Sequence, residues 1–124
     1  RILARARERN IGVFCMFAIR KALTDPQLAR ELVKSLVDEG VVDGSRLNMD
    51  APLDCLVNDS CGSIPEAGYR FCLHEPGIDC VLSGTGSVEH VEENYRSLSG
   101  APLSRAVLSR LDECFGHIDS VACN

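Results

Sequence analysis

Apolar positions change their period several times along the chain, and each change marks an expected element. Residues 2–9 (ILARARER) have the pattern of the end of a polar helix, which Asn10 then breaks. Ile11 to Ile19 (IGVFCMFAI) form a nearly continuous apolar run. A short run of that kind predicts a strand covered on both faces of a parallel sheet. A buried helix is the alternative, but Gly12, Val13 and Phe14 lean toward strand. Asp25-Pro26 predicts a helix start, because the carboxylate can cap free N–H groups and proline suits the first turn. Leu28, Leu32, Val33, Leu36 and Val37 recur with helical period until Gly40 stops them. From Val41 to Gly62 the residues are largely Asp, Asn, Gly and Ser, with one apolar patch at Leu53–Val57. A long loop with room for one short helix is expected there.

Ser63-Ile64-Pro65-Glu66 has capping-box spacing, so a helix through Ala67, Phe71 and Cys72 should follow and end near Pro76-Gly77. Ile78–Leu82 predicts a second strand, and Ser83-Gly84-Thr85-Gly86-Ser87 a tight turn. Val91, Tyr95 and Leu98 mark one face of the next helix. Pro102 and Ser104 begin a last one through Val107, Leu108, Leu111 and Phe115. The order is α/β, with strands expected to pair in parallel. The chain divides into a helix end (1–10), a strand and helix (11–40), a loop (41–62), a helix–strand–helix unit (63–99) and a C-terminal helix and tail (100–124).

Composition narrows the function classes. The 124 residues make one modest domain, well short of the roughly 250 of a closed eight-stranded barrel. Hydrophobic residues at 45% and charged residues at 25% are ordinary for a globular protein. A net charge of −5 argues against a nucleic-acid or anionic-membrane partner. No apolar run approaches the roughly 18 residues of a membrane span. Arg1 and the Arg-rich stretch after it lead us to expect the interior of a longer sequence, not a signal peptide. Seven cysteines (Cys15, Cys55, Cys61, Cys72, Cys80, Cys114 and Cys123) contain no C-x-x-C pair. Reduced, buried thiols and a cytoplasmic setting are the expectation.

The chemistry-bearing segment is Val81–Leu98 (VLSGTGSVEHVEENYRSL). A strand, a glycine turn and a helix together suit phosphate: glycines let the anion approach, and the helix N–H groups and dipole face it. G-T-G is not the full dinucleotide fingerprint, and no Gly-Lys-Ser or Gly-Lys-Thr makes it a P-loop. Spacing alone equally fits a sharp turn in which Ser87 caps a helix.

Residues Gly84 to Asn94 (GTGSVEHVEEN) resemble the aldo/keto reductase signature, a glycine turn leading into a helix that ends in Glu-Asn. Pro76–Leu82 is similar to that family's final strand, Ala67–Phe71 to the helix before it, and Ile11–Leu23 to the seventh strand. The resemblance implies the C-terminal part of a (β/α)8 barrel: two strand–helix units plus C-terminal helices. It further implies an NADP cofactor, with NAD left open, and a small aldehyde or ketone substrate for the parent protein. Gly84, Thr85 and Gly86 would then lie against phosphate and ribose. His90 would stand near the 2′-phosphate, where the family often has Arg or Gln. Glu93 and Asn94 would meet the adenine, Phe17 would stack on the nicotinamide, and Ala18 and Arg20 would line the pyrophosphate.

Other residues carry less. His74 and His117 fall near helix ends, where a histidine commonly answers the dipole. Asp112, Glu113 and His117 lack further metal-ligand spacing, and Arg5, Arg7 and Arg9 form a solvated helix face. The family's general acid is a Tyr helped by Lys, Asp and His. Tyr69 and Tyr95 lie in predicted helices, Lys21 and Lys34 are the lysines, and no Tyr–Lys pair is expected to converge. No catalytic residue is therefore assigned to this chain. A non-catalytic nucleotide-binding module and a structural remnant remain alternatives. Two strands leave open edges, so self-association of the chain is also expected.

Overall fold

A computed structural model of the chain describes residues 2–58 and 60–118. Within them the elements run α1 (Ile2–Glu8), β1 (Phe14–Cys15), α2 (Lys21–Thr24), α3 (Pro26–Asp38), α4 (Ile64–Leu73), β2 (Cys80–Val81), α5 (Val88–Leu98) and α6 (Arg105–Phe115). The fold is mixed α/β and mostly helical. β1 and β2 pair in parallel, with Phe14 opposite Cys80 and Cys15 opposite Val81. The Asp79 carboxylate accepts from the Val13 N–H at 2.7 Å and locks the register just before the pair. At the far end Leu82 N–H donates to the Cys15 carbonyl at 2.9 Å.

Local signals at the helix ends act as expected. Asn10 takes φ 54° and ends α1, and Gly40 takes φ 71° after α3. The Asp25 carboxylate accepts from the N–H groups of Gln27 and Leu28 at 2.9 and 3.3 Å. Ser63 accepts from Glu66 N–H at 3.2 Å. The Glu66 carboxylate reaches one residue past the cap and accepts from Gly62 N–H at 3.0 Å. Ser104 caps α6 through Val107 N–H at 3.3 Å. Ser63→Ala removes an acceptor for an otherwise orphan N–H, and should cost about 1 kcal/mol, read as a lower urea midpoint.

The first strand differs from expectation. Ile11–Ile19 yields two strand residues, because Phe17 adopts φ 59°, a left-handed conformation outside the strand region. Coverage on both faces is also not seen: Phe14 is 66% exposed, and Ile11, Met16 and Phe17 are exposed too. Among the described residues the sheet holds two strands, so each keeps an open edge. The face of α5 marked by Val91 and Tyr95 likewise points outward, with Tyr95 73% exposed, and the buried position is Ser97.

The main core cluster forms where Leu56, Cys61, Ala67, Leu103 and Val107 pack together. The 41–62 loop thus supplies part of the core, held by two single helical turns at Gly44–Arg46 and Asp54–Leu56 rather than one short helix. Arg70 stitches this region closed although it is 3% exposed. Its guanidinium donates to the carbonyls of Ser60 (2.5 Å), Ala101 (2.6 Å) and Pro102 (3.4 Å) and to the Glu66 carboxylate (2.9 Å). The six described cysteines are free thiols. Cys61 and Cys114 are buried, whereas Cys15 and Cys80, which the apolar runs marked for burial, are half-exposed in the thin sheet. Cys123 lies outside the described residues. Among the described residues no helix is long and apolar enough to cross a membrane.

Candidate functional site

Parallel pairing sends the segments after β1 and β2 out of the same end of the sheet, so Phe17–Arg20 and Ser83–Ser87 emerge side by side. This is the end at which open α/β sheets place ligands. After β1, the Phe17 ring is 68% exposed, and the Arg20 guanidinium stands 5.4 Å from its centroid. That contact is a cation–π geometry and fixes how the ring is presented. Ala18 lines an apolar cavity with Leu23 and Phe71.

After β2, side chains organise the turn into α5. Thr85 Oγ1 accepts from Ser87 N–H at 3.1 Å and stands 3.5 Å from His90 Nδ1. Ser87 Oγ in turn accepts from His90 N–H at 3.4 Å, capping α5. Gly84 and Gly86 are exposed, neither has positive φ, and a Cβ on either would meet nothing within 4 Å. The fold itself therefore does not require glycine at these two positions. What the glycines leave is bare backbone beside a helix N-terminus. The first turn also carries the acidic Glu89, which the same dipole favours.

Ser83 connects the turn to both flanking helices. Its Oγ accepts from Asn94 Nδ2 at 2.8 Å and pairs with the Tyr69 hydroxyl at 3.1 Å. Asn94 is thereby held against the turn from eleven residues away. Glu93 and Asn94 also line a cleft of about 570 Å³ with Gly62, Ser63, Glu66 and Arg96. The structure thus brings Gly84, Thr85, Gly86, His90 and Asn94 together, with Glu93 adjacent, and places Phe17 and Arg20 at the neighbouring strand end. The Tyr69–Ser83 link had no signal in the sequence, since neither residue type nor spacing predicts it. Ser83→Ala should cost about 1–2 kcal/mol, because it strands the nearly buried Tyr69 hydroxyl. Tyr69→Phe in the same background should then add little, a non-additivity that a denaturation double-mutant cycle would measure.

The Tyr69 hydroxyl is engaged by Ser83, and Tyr95 projects from the exposed face of α5. Burial, with the Cys15 thiol beside it, pushes the Cys72 thiol up to about 12, so it is not a thiolate at neutral pH. Among the described residues no group of three or more His, Cys, Asp or Glu side chains could hold a metal ion. No family model, curated protein or solved structure matches the chain.

Proposed function

We propose that the chain is the cofactor-gripping C-terminal part of an NAD(P)H-dependent aldo/keto reductase, a (β/α)8 barrel enzyme acting on aldehydes or ketones. The observation that carries this reading is the exposed Gly84-Thr85-Gly86 backbone at the start of α5, whose glycines the fold does not need. Pyrophosphate would lie against those N–H groups, where a side chain would stand in its way. Glu93 and Asn94 would meet the adenine, with Asn94 oriented by Ser83. Phe17 would offer a ring face to the nicotinamide and lacks a hydroxyl for any further bond. The cofactor would supply the hydride; this chain would hold it and exclude its misplacement. The single imidazole of His90 lacks the forked donors with which an arginine would hold a phosphate, so the chain should favour NADPH over NADH only modestly.

Calorimetric titration of the chain with NADPH tests the reading directly. Saturable binding that weakens in Asn94→Ala supports it, and absence of binding at millimolar NADPH rejects it for this chain. His90→Arg should raise the NADPH/NADH preference by about fivefold, consistent with one added charge–phosphate contact. With no Tyr–Lys pair in the described residues, carbonyl reduction would belong to the parent protein and not to this chain. A non-catalytic nucleotide module shares the binding outcome, and an upstream Tyr–Lys–Asp–His set would separate the two. The open strand edges support self-association of the isolated chain, which a stable monomer on size exclusion would contradict.

A further inference from the structure

The apolar cavity beside α4 and α6 takes no residue of the glycine turn, since none of its lining residues falls between 76 and 102, and Ala18 of the segment after β1 borders it. α4 and α6 each contact the Asp54–Leu56 turn, and a space of about 510 Å³ is left beside it. Phe71 and Cys72 of α4 face it, as do Leu108, Leu111 and Phe115 of α6, with Leu53 from the loop. One end is closed by Leu56, Ala67 and Leu103, which belong to the core cluster. Phe71 and Leu108 are partly exposed at its edge, so the cavity opens to solvent along a side.

The volume falls within the roughly 300–1,000 Å³ of small-molecule sites. Left empty, its leucine and phenylalanine walls forgo dispersion contacts. Water is a poor occupant, because it needs at least about two polar partners. The charge is one-sided: Glu75 and Asp112 are the ionisable carboxylates on the lining, and no Lys, Arg or His is among it. Both lie toward helix C-termini, Glu75 just beyond α4 and Asp112 in the last turn of α6. The two dipoles therefore add to the carboxylates in favouring a cation. The histidines near those ends are bonded elsewhere, His74 to the Gly100 carbonyl at 3.0 Å and His117 to the Val41 carbonyl at 2.5 Å.

We infer that this groove binds a cationic amphiphile, its apolar chain between α4 and α6 and its ammonium head at Glu75 and Asp112. The test titrates the full chain by calorimetry, below micelle-forming concentrations, with n-decylamine, decanoate and n-propylamine. Decylamine should bind at one site at least tenfold more tightly than decanoate, and propylamine should not bind. Leu111→Trp should abolish decylamine binding by filling the groove. Leu108→Trp, at a partly exposed edge, should weaken it in a protein whose circular dichroism is unchanged. Glu75→Gln with Asp112→Asn should remove the preference for decylamine over decanoate. Equal or tighter decanoate binding, no saturable binding of decylamine, or indifference to both tryptophans would overturn the inference. So would a dimer that closes the groove and that Leu108→Trp dissociates without any amphiphile effect.

Discussion

Arg70→Met is expected to lower the stability of the chain by about 3–5 kcal/mol, the largest effect of any single change on this fold. Methionine keeps the unbranched stem and much of the volume, so packing around the stem is largely preserved while every donor disappears. The carbonyls of Ser60, Ala101 and Pro102 would lose the guanidinium that satisfies them, and the Glu66 carboxylate would lose its ion-pair partner. The cost comes from these stranded acceptors more than from the lost bonds themselves. Against a total stability of about 5–15 kcal/mol, a loss of that size would unfold a measurable fraction of the chain. Arg70→Lys tests the geometry: an ammonium keeps the charge but cannot fork to carbonyls on two separate segments, so it should recover less than half the loss. Urea midpoints at constant slope would read both. A loss below about 1 kcal/mol for Arg70→Met would mean that water replaces the guanidinium and that the two segments do not depend on it.

Arg70 also shows where sequence reasoning stops. Helix ends were legible because their causes are local: Asp25, Ser63, Ser87 and Ser104 each cap a helix two or three residues away, and Asn10 and Gly40 act on their own φ. The two strands and their parallel pairing followed from apolar runs separated by helices. Arg70, by contrast, looks like any exposed helix arginine until Ala101, 31 residues later, returns beside it. The 41–62 segment looked like loop and is loop, yet Leu56 and Cys61 within it are core, since burial there depends on α4 and α6 and not on a period. Apolar patterning states which residues favour burial and does not say what covers them. That is why Phe14, Val91 and Tyr95 fit a strand or helix face and still stand in solvent. At the candidate site, the glycine turn and the Ser87 cap were legible from spacing. The hold of Ser83 on Asn94 and Tyr69 was not, because side chains on three elements meet there only after the fold forms.

Gly84→Val should reduce NADPH affinity at least tenfold, about 1.4 kcal/mol, while leaving the fold intact. The two halves of this expectation rest on one observation. A Cβ at position 84 meets nothing within 4 Å and φ there is not positive, so valine should change stability by no more than about 0.5 kcal/mol, as at an ordinary surface site. The same space is where a pyrophosphate would approach the backbone, and a branched side chain would occupy it. Gly86→Val should behave alike, whereas Gly84→Ala should fall between wild type and valine. If the glycines serve only the turn, the order reverses: valine would destabilise the fold and any NADPH binding would survive in the folded fraction. Calorimetric titration beside a urea melt distinguishes these patterns. Asn94→Ala is a less discriminating variant, because its amide also secures the turn through Ser83, and lost binding there could reflect a displaced turn. Unchanged NADPH affinity in a fully folded Gly84→Val protein would remove the glycine turn from the cofactor site and, with it, the principal support for a dinucleotide grip.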